Sequence, residues 1–281
     1  MSVAAAALDA HIASPLRWAG GKRWLRPVIR GLIGDTKIAR YHEPFLGGAS
    51  MFLGLPPFEK SFLTDSNKDL IEAFRVMRDD PDALAEKVAK YENDKETYYE
   101  VRALSPESKV DRAARFIYLN HTSYNGIYRV NLQGVYNVPF GGRDSPQIPD
   151  AGHLRDVSHR LKKARLHAGD FAGCLKHVNE GDLVFLDPPY TVAHNNNGFV
   201  KYNQKLFSFD DQRRLSKLIE DIMARGAYYI LTNAAHKSIK DLFGRPGERL
   251  METRRRNNIG GNNAARGSAT ELLFTNLPAV D

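Results

Sequence analysis

Short apolar segments bounded by turn residues recur along this 281-residue chain, and this rhythm constrains the fold more than any other feature. Apolar runs of strand length that alternate with segments of helical spacing are typical of a largely parallel sheet covered by helices. The predicted strands are residues 38–45, 61–64, 164–167, 183–186, 228–233 and 271–276. The sequence therefore predicts an α/β fold built on one central sheet.

An acidic residue stands at the end of at least three of these predicted strands. Asp65, Asp170 and Asp187 end the second, third and fourth strands in chain order. The carboxyl ends of parallel strands meet at one edge of a sheet, and open α/β sheets bind their ligands at that edge. We therefore expect the three carboxylates to line one rim of the sheet.

The tetrapeptide Asp187-Pro188-Pro189-Tyr190, here called the Asp187 turn, directly follows the apolar run 183–186. This set suits methyl transfer to an amino group on a flat heteroaromatic ring, whose nitrogen is a poor nucleophile because its lone pair is delocalised. A carboxylate and a proline-fixed carbonyl aimed at its hydrogens would stabilise the developing charge. The tyrosine ring can stack on the base and hold it in line with a methyl donor. Proline pairs also end strands that have no function, so companion motifs must support this interpretation.

A glycine-rich turn follows the first predicted strand, at Gly47 and Gly48 after Phe45. Such turns let the backbone approach a nucleotide, but nicotinamide, flavin and methyl-donor sites all use them. Asp65 could accept both ribose hydroxyls of an adenosine. Asp170 could accept the adenine amino group, with the next residue, a phenylalanine, against the ring. A nicotinamide enzyme would share the first two features but would not need the Asp187 turn, which favours an adenosine-bearing methyl donor.

The segment before this turn contains a dense cluster at 15–22 with Trp18 and Lys22. Lys22 could neutralise the carboxylate of a methyl donor, and the Trp18 ring could pack on it. The alternative is a surface lysine next to a core tryptophan.

The strand rhythm stops between residues 68 and 152. Helical spacing predicts helices over 69–78, 82–100 and 110–120. Asn-Gly and Gln-Gly then separate short alternating segments within 124–142, which predicts a β-hairpin. A mainly helical insertion that ends in an aromatic, Arg- and Asn-rich hairpin is a candidate recognition lobe.

Composition narrows the possible chemistry. The net charge of +7 has the sign expected for a protein with a polyanionic partner. Cys174 is the single cysteine and lies outside any Pro-Cys or Cys-x-x-Cys setting, which argues against covalent attack by a thiolate on a pyrimidine ring. The histidines show no metal-binding spacing, so we expect no metal site. No apolar stretch is long enough to span a bilayer, and we interpret residues 1–13 as a disordered tail rather than a signal peptide.

Taken in order, these motifs closely resemble the Dam-type DNA adenine methyltransferases, the α-group enzymes that methylate the exocyclic amino nitrogen of adenine with S-adenosylmethionine. The matching stretches, within about residues 15–276, are 18–22, 43–45, 65–71, 116–120, 124–126 through 137–141, 187–190, 207–209, 254–256 and 271–273. The resemblance implies a Rossmann-like S-adenosylmethionine-dependent methyltransferase sheet. Residues 11–67 and 153–281 would form the catalytic domain, and 68–152 an inserted, mainly helical target-recognition domain that carries a β-hairpin.

By position, the resemblance implies a catalytic motif at Asp187, Pro188, Pro189 and Tyr190, where Asp187 serves the target amino group and Tyr190 stacks on the extruded base. The expected cofactor-binding residues are Trp18, Lys22, Phe45, Asp65, Asp170, Phe171 and Asp187. The expected DNA-binding residues are Tyr124, Asn125, Arg129, Asn137, Pro139, Arg254, Arg255, Arg256 and Arg266.

Within the DNA-binding set, Tyr124 and Asn125 match positions that engage DNA where the adenine leaves the stack. Arg129 matches a base-reading arginine, which could pair with guanine in the major groove. We interpret the arginines of 254–266 as a flexible basic loop on phosphates, with a solvated turn as the alternative. The family's Gly-x-Gly appears here as Gly-Gly-Ala, and residues 121–123 also differ from the family, which leaves the recognition sequence open beyond a GATC-like guess.

The expected partner is double-stranded DNA, and the expected cofactor is S-adenosylmethionine, converted to S-adenosylhomocysteine. A cognate restriction endonuclease is a further candidate partner, as part of a restriction-modification system. We expect a cytoplasmic, nucleoid-associated monomer encoded by a bacterium or a phage. Two alternatives stay open: an amino methyltransferase acting on RNA adenine or on cytosine N4 of DNA, and a DNA-binding relative without catalysis.

Overall fold

The computed structural model describes residues 11–131, 133–190, 207–256 and 268–279, and it has an α/β fold. The strands are β1 (Tyr41–Glu43), β2 (Ser61–Asp65), β3 (Ala164–Ala168), β4 (Leu183–Leu186), β5 (Tyr228–Ala234), β6 (Arg249–Arg256) and β7 (Ser268–Thr275). They form one seven-stranded sheet in the order β3-β2-β1-β4-β5-β7-β6. The predicted α/β class is confirmed.

β4 is paired in parallel with β1 on one side and with β5 on the other. β7 runs antiparallel between β5 and β6, with Ala234 of β5 opposite Glu271 of β7. The four residues of β4 are all buried, as a continuous apolar run predicts for a strand covered on both faces. The chain segment that follows β4 therefore leaves the sheet at an interior strand.

In the described residues, α-helices precede β1 and occupy the intervals from β1 to β2, β2 to β3, β4 to β5 and β5 to β6. They are α1 (Arg26–Ile33), α2 (Ser50–Gly54), α3 (Lys68–Asp79), α4 (Pro81–Val88), α5 (Lys95–Ala103), α6 (Lys109–Thr122), α7 (Ala151–Leu161), α8 (Phe209–Ala224) and α9 (Lys237–Phe243). The single helix predicted over 82–100 is wrong, because α4 and α5 replace it. Asp94 accepts a hydrogen bond from the backbone N–H of Thr97 and so begins a new helix. No helix in the described parts of the chain is long and apolar enough to cross a membrane.

The described residues divide into two compact units. Unit 1 comprises the residues up to Arg26 together with 46–57 and 63–169, and unit 2 comprises 27–45, 58–62 and the residues from Asp170 onward. Unit 1 contains α3 to α7, and the part of it between 68 and 150 has no strand of the sheet in its described residues. This agrees with the helical character predicted there.

An aromatic cluster organises part of unit 1. Tyr98, Tyr118 and Tyr136 are buried together, and the Tyr98 hydroxyl donates to the carbonyl of Val138 at 2.8 Å. This contact anchors the segment 123–141, here called the arm. The predicted hairpin is present in the arm as antiparallel bridges between Ser123 and Phe140 and between Val130 and Tyr136, rather than as long regular strands.

The core of unit 2 is aliphatic and aromatic, and it packs α8 and α9 against β4, β5 and β7. α8 begins with a capping box, in which Ser208 and Asp211 each accept a backbone N–H of the other. The side chains of β4 and β5 that belong to this core are almost fully buried, so the polar residues that follow β4 are held by a rigid support.

One prediction about unit 2 is wrong. The flexible basic loop expected at Arg254, Arg255 and Arg256 is the end of strand β6, which pairs with β7. β6 lies at the edge of the sheet. Charged residues suit an edge strand, because they discourage pairing with another chain. Because residues 254–256 are all arginines, this end of β6 has no apolar run from which a strand could be predicted.

Candidate active site

Within unit 2, Asp187 lies directly after buried β4 and is partly exposed. Its Oδ1 accepts a hydrogen bond from the Thr232 hydroxyl of β5 at 2.7 Å. Thr232 is itself 1% exposed, so this bond fixes the direction of the carboxylate. Pro188 is buried and Pro189 partly exposed, and their rings restrict the backbone that carries the carboxylate.

Tyr190 completes the Asp187 turn. Its hydroxyl donates to Oε2 of Glu271 at 3.0 Å, while the residue as a whole stays partly exposed. Burial of the hydroxyl, together with the nearby carboxylates of Asp187 and Glu271, raises the pKa of Tyr190 well above its usual value. The phenol therefore stays protonated, with its polar end anchored on a residue that is partly exposed as a whole.

Three phenylalanine rings meet in the same unit. Phe45, after β1, lies 5.2 Å from Phe171 and 5.6 Å from Phe207 between ring centroids. Phe171 is only 6% exposed, whereas Phe45 is partly exposed. Phe45 therefore offers the more accessible ring for a planar ligand, and Phe171 and Phe207 support it from behind.

Asp170 precedes Phe171 and is exposed. Its Oδ1 accepts the backbone N–H of Ala172 at 2.9 Å and a hydrogen bond from Nη2 of Arg214 at 2.8 Å. The Arg214 guanidinium also lies 4.8 Å over the Phe171 ring. Both contacts of Asp170 use one oxygen, so the carboxylate is oriented while Oδ2 takes part in neither.

In unit 1, Asp65 at the end of β2 holds the glycine-rich turn. Its Oδ2 accepts the backbone N–H of Gly47 and its Oδ1 accepts that of Asn67, each at 2.9 Å. Burial raises the pKa of Asp65 even though these bonds oppose the shift. Each oxygen keeps a second lone pair for a further donor, such as a hydroxyl group.

Trp18 packs against this turn, also within unit 1. A Cβ atom at Gly47 would lie 2.8 Å from Cδ1 of the Trp18 ring, and one at Gly48 would lie 2.9 Å from Trp18 Cβ. Both glycines are therefore needed for the tryptophan to fit. Trp18 also stacks with Phe116 and Tyr128, at centroid distances of 6.4 and 6.0 Å.

Lys22 is only 3% exposed. The alternative interpretation of Lys22 as a surface lysine is therefore wrong. Its Nζ donates to the carbonyl of Gly20 at 2.9 Å. The preceding segment is held by Asn120 of α6, whose side-chain amide accepts from the backbone N–H of Arg17 at 2.8 Å and donates to its carbonyl at 2.7 Å. The Asn120 amide thus makes the two hydrogen bonds to Arg17 that the backbone of a neighbouring strand would make, directly before Trp18.

The tip of the arm in unit 1 is exposed. Tyr124 is 54% exposed, and Asn125 is exposed with a left-handed φ of 55°. Asparagine tolerates that conformation better than most residues. Gly126 follows with a positive φ, and a Cβ there would lie 2.9 Å from Cβ of Arg17. The sequence Tyr-Asn-Gly therefore presents an aromatic ring and an amide to solvent on a tightly constrained turn.

Arg129 lies farther along the arm and is exposed. Its Nε donates to Oδ1 of Asn137 at 2.8 Å, and the backbone N–H of Asn137 donates to the Arg129 carbonyl at 3.2 Å. Pro139, also exposed, accepts the backbone N–H of Tyr124 through its carbonyl at 2.9 Å. The arm thus orients its arginine through an asparagine and its tyrosine through a proline carbonyl.

The last predicted DNA-binding residues are only partly described. Arg254 is exposed on β6, and Arg255 and Arg256 are placed by the backbone of the same strand. Arg266 lies outside the described residues.

The predicted residues are divided between the two units. Phe45, Asp170, Phe171, Asp187 and Tyr190 belong to unit 2, and Trp18, Lys22, Asp65 and the arm residues belong to unit 1. Sequence reasoning missed the residues that hold these groups, namely Asn120, Phe207, Arg214, Thr232 and Glu271. Asn120, Phe207 and Glu271 stood in matched stretches, which was the one signal available for them.

Comparison with known proteins assigns the family. The family of D12 class N6 adenine-specific DNA methyltransferases matches residues 18–259. A Type II methyltransferase of Lactococcus lactis subsp. cremoris is 33% identical over 92% of this chain and 94% of its own length. A Type II methyltransferase of Methanocaldococcus jannaschii is 36% identical over 82% of this chain and 86% of its own length.

The DNA adenine methylase of Escherichia coli is 29% identical over 94% of this chain and 95% of its own length. The family match over residues 18–259 spans the glycine-rich turn, the arm and the Asp187 turn. The chain belongs to the D12 class N6 adenine-specific DNA methyltransferase family.

Proposed function

We propose that this protein transfers a methyl group from S-adenosylmethionine to the N6 amino group of an adenine that has left the stack of double-stranded DNA. One observation carries the proposal most directly. The Asp187 turn leaves an interior parallel strand with its carboxylate bound by Thr232 and its tyrosine hydroxyl bound by Glu271, while the tyrosine residue as a whole is partly exposed. This combination supplies an oriented acceptor and a stacking surface, which an aromatic amino group requires.

The residues proposed for the methyl donor are described within their own units. Its adenosine presents two ribose hydroxyls and an amino group as hydrogen-bond donors. Asp65 keeps a second lone pair on each carboxylate oxygen, and Asp170 keeps Oδ2, so both can accept such donors. Phe45 offers its ring to the adenine, and Lys22 and Trp18 are the residues proposed for the amino-acid end. When bound, the cofactor supplies a methyl group activated by its sulfonium charge.

The chain's own residues act on the target nitrogen. Asp187 and the carbonyl fixed by the prolines accept hydrogen bonds from the amino group and favour its tetrahedral geometry. The proposed mechanism uses no thiol nucleophile: the single cysteine, Cys174, is buried, and burial raises the pKa of its thiol to about 12. A strong general base is not required either, since the nitrogen loses its proton readily once it is methylated.

We propose that residues 68–152 form the target-recognition domain and that 11–67 and 153–281 form the catalytic domain. Tyr124 and Asn125 would contact DNA where the adenine leaves the stack, and Arg129 would read a guanine. Asn137, Pro139 and the arginines of 254–266 would complete the DNA-binding surface, on a GATC-like site.

The remaining proposals concern the setting. We propose a monomer that acts in the cytoplasm on nucleoid DNA, with a cognate restriction endonuclease as a candidate partner. Methylation of RNA adenine or of cytosine N4 is the second candidate function, since acceptors at an amino group alone do not distinguish these rings. The exposed arm, with an oriented arginine and a constrained Tyr-Asn-Gly turn, favours duplex DNA.

The test is transfer of a labelled methyl group from S-adenosylmethionine to unmethylated DNA, followed by digestion to nucleosides. The expected label is in N6-methyladenine from duplex DNA, with none in the Asp187→Ala control. Label in N4-methylcytosine, or in RNA alone, would favour the second candidate, and DNA binding without label would indicate a non-catalytic relative. Sequencing methylated adenines in DNA from cells that express the chain then gives the recognition site.

A further inference from the structure

We propose that Glu271 is a positioning residue for methyl transfer: its buried carboxylate fixes the hydroxyl of Tyr190 and thereby sets the plane of the ring that stacks on the target base. This inference rests on the proposed function. Glu271 lies on β7 and is 5% exposed, and its Oε2 is 3.0 Å from the Tyr190 hydroxyl.

The sheet explains why the carboxylate is well placed. Glu271 stands opposite Ala234 in the antiparallel pair of β5 and β7, and Thr232 is two residues before Ala234 on β5. Residues two apart on a strand share a face, and directly opposite residues share it too. Glu271 and Thr232 are therefore diagonal neighbours on one face. One of them binds the first residue of the Asp187 turn and the other binds the last.

The electrostatics also require an explanation. Burying a carboxylate is unfavourable unless hydrogen bonds compensate it, and the charges of both Glu271 and Asp187 act on the Tyr190 hydroxyl. The raised pKa of Tyr190 keeps its hydroxyl protonated as a donor to Glu271. A strand paired on both sides would accept an apolar residue at this position more easily. The acid at this position supplies the acceptor for the tyrosine hydroxyl.

The consequence for the reaction is geometric. A phenylalanine ring in place of Tyr190 could rotate and shift, whereas the bond to Glu271 holds the far end of the tyrosine ring. A stacking ring that shifts by about 1 Å would misplace the target nitrogen, and a misplacement of that size can slow a reaction by about 10²-fold. Glu271 touches neither reactant in this arrangement and acts through Tyr190.

The test measures single-turnover methyl transfer by full-length protein on a DNA duplex carrying its mapped site, with saturating cofactor. Glu271→Met should slow transfer by about 10-fold or more. Glu271→Gln, which keeps an acceptor oxygen, should stay within about 3-fold of wild type, and DNA affinity should be unchanged in both. Tyr190→Phe should be slowed as much as Glu271→Met, and the double variant should be no slower than either single variant.

The chain supplies a matched control. The Tyr229 hydroxyl, at the beginning of β5, donates to Oε2 of Glu248 in the same unit. Tyr229→Phe therefore removes the same kind of bond away from the Asp187 turn, and it should lower the melting temperature without slowing single-turnover transfer.

The outcomes are distinct. If wild type methylates no DNA, the proposed function fails. If wild type methylates and Glu271→Met or Tyr190→Phe does so at the wild-type rate, only the inference fails. A glutamine variant as slow as the methionine variant, or additive losses in the double variant, would also overturn it. Should Glu271→Met not fold, Tyr190→Phe alone decides the question.

Discussion

The side chains of the Asp187 turn and those of the arm are held in place in different ways. In the Asp187 turn, the polar groups of Asp187 and Tyr190 are tied to side chains of strands β5 and β7, and those partners are almost fully buried. In the arm, Tyr124 and Arg129 are exposed and held mainly by the arm's own backbone and by Asn137. The sheet holds the groups whose orientation the proposed reaction needs. The arm, closed by antiparallel bridges, displays the groups proposed to contact DNA. Substitutions in the two regions should therefore have separable effects.

Asp187→Asn should show the largest effect. The amide keeps the shape of the side chain but replaces one acceptor oxygen by a donor. Transfer should fall by about 10²- to 10³-fold, the usual loss when one preorganised group is removed from a charge-stabilising site. Single-turnover kinetics measure the rate, and titration with labelled duplex measures affinity. A parallel loss of DNA affinity would break the separation between the two regions.

A fall in pH tests the stability of each unit, because the described residues of each include one buried histidine. His42 in unit 2 is bound through Nε2 to Asp182, and His121 in unit 1 is bound through Nε2 to the carbonyl of Pro15. Neither Nδ1 has a hydrogen-bond partner among the described residues. Burial lowers the pKa of each imidazole from 6.5 to about 4.

The folded pKa lies below the unfolded one, so the unfolded chain binds protons first as the pH falls. The free energy of unfolding should therefore decrease from about pH 6.5 to about pH 4, by up to ~3 kcal/mol for each histidine. Urea denaturation at several pH values measures this slope. His121→Gln should flatten the part due to unit 1, and an unchanged slope in that variant would remove His121 as a cause.

Arg129→Ala addresses the arm. Loss of a bidentate contact to guanine should reduce discrimination at one base pair by about 10- to 100-fold, since such pairs contribute ~1–3 kcal/mol. General DNA affinity should change by less, because phosphate contacts supply most of it. Asn137→Ala should act in the same direction but more weakly, as it removes only the partner of Nε. Uniform weakening on all sequences would instead make Arg129 a phosphate contact.

Elements with local signals could be predicted from the sequence, whereas contacts made through strand pairing could not. The strands that precede Asp65 and Asp187 were predictable because apolar runs and turn residues are local signals. β6 was not, because an arginine-rich edge strand lacks an apolar run. Thr232 and Glu271 could not be assigned their roles either. They meet the Asp187 turn only through the pairing of β4, β5 and β7, over sequence separations of 45 and 81 residues.

Thr232→Val should have the smallest effect of these substitutions. It tests whether the sheet orients Asp187 through the Thr232 hydroxyl. It removes the donor to Asp187 with little change of shape, so the carboxylate loses one constraint but keeps its charge. Transfer should slow by about 10-fold, as expected for lost orientation of a reacting group rather than loss of the group.

Thr275→Val is the matched control, because the Thr275 hydroxyl is buried on β7 and donates to the carbonyl of Tyr229 at 2.6 Å. Both variants should lose about 1–3 kcal/mol of stability from an unpaired or missing hydrogen bond. Only Thr232→Val should slow single-turnover transfer, and equal rates in the two variants would show that the sheet fixes Asp187 without help from this hydroxyl.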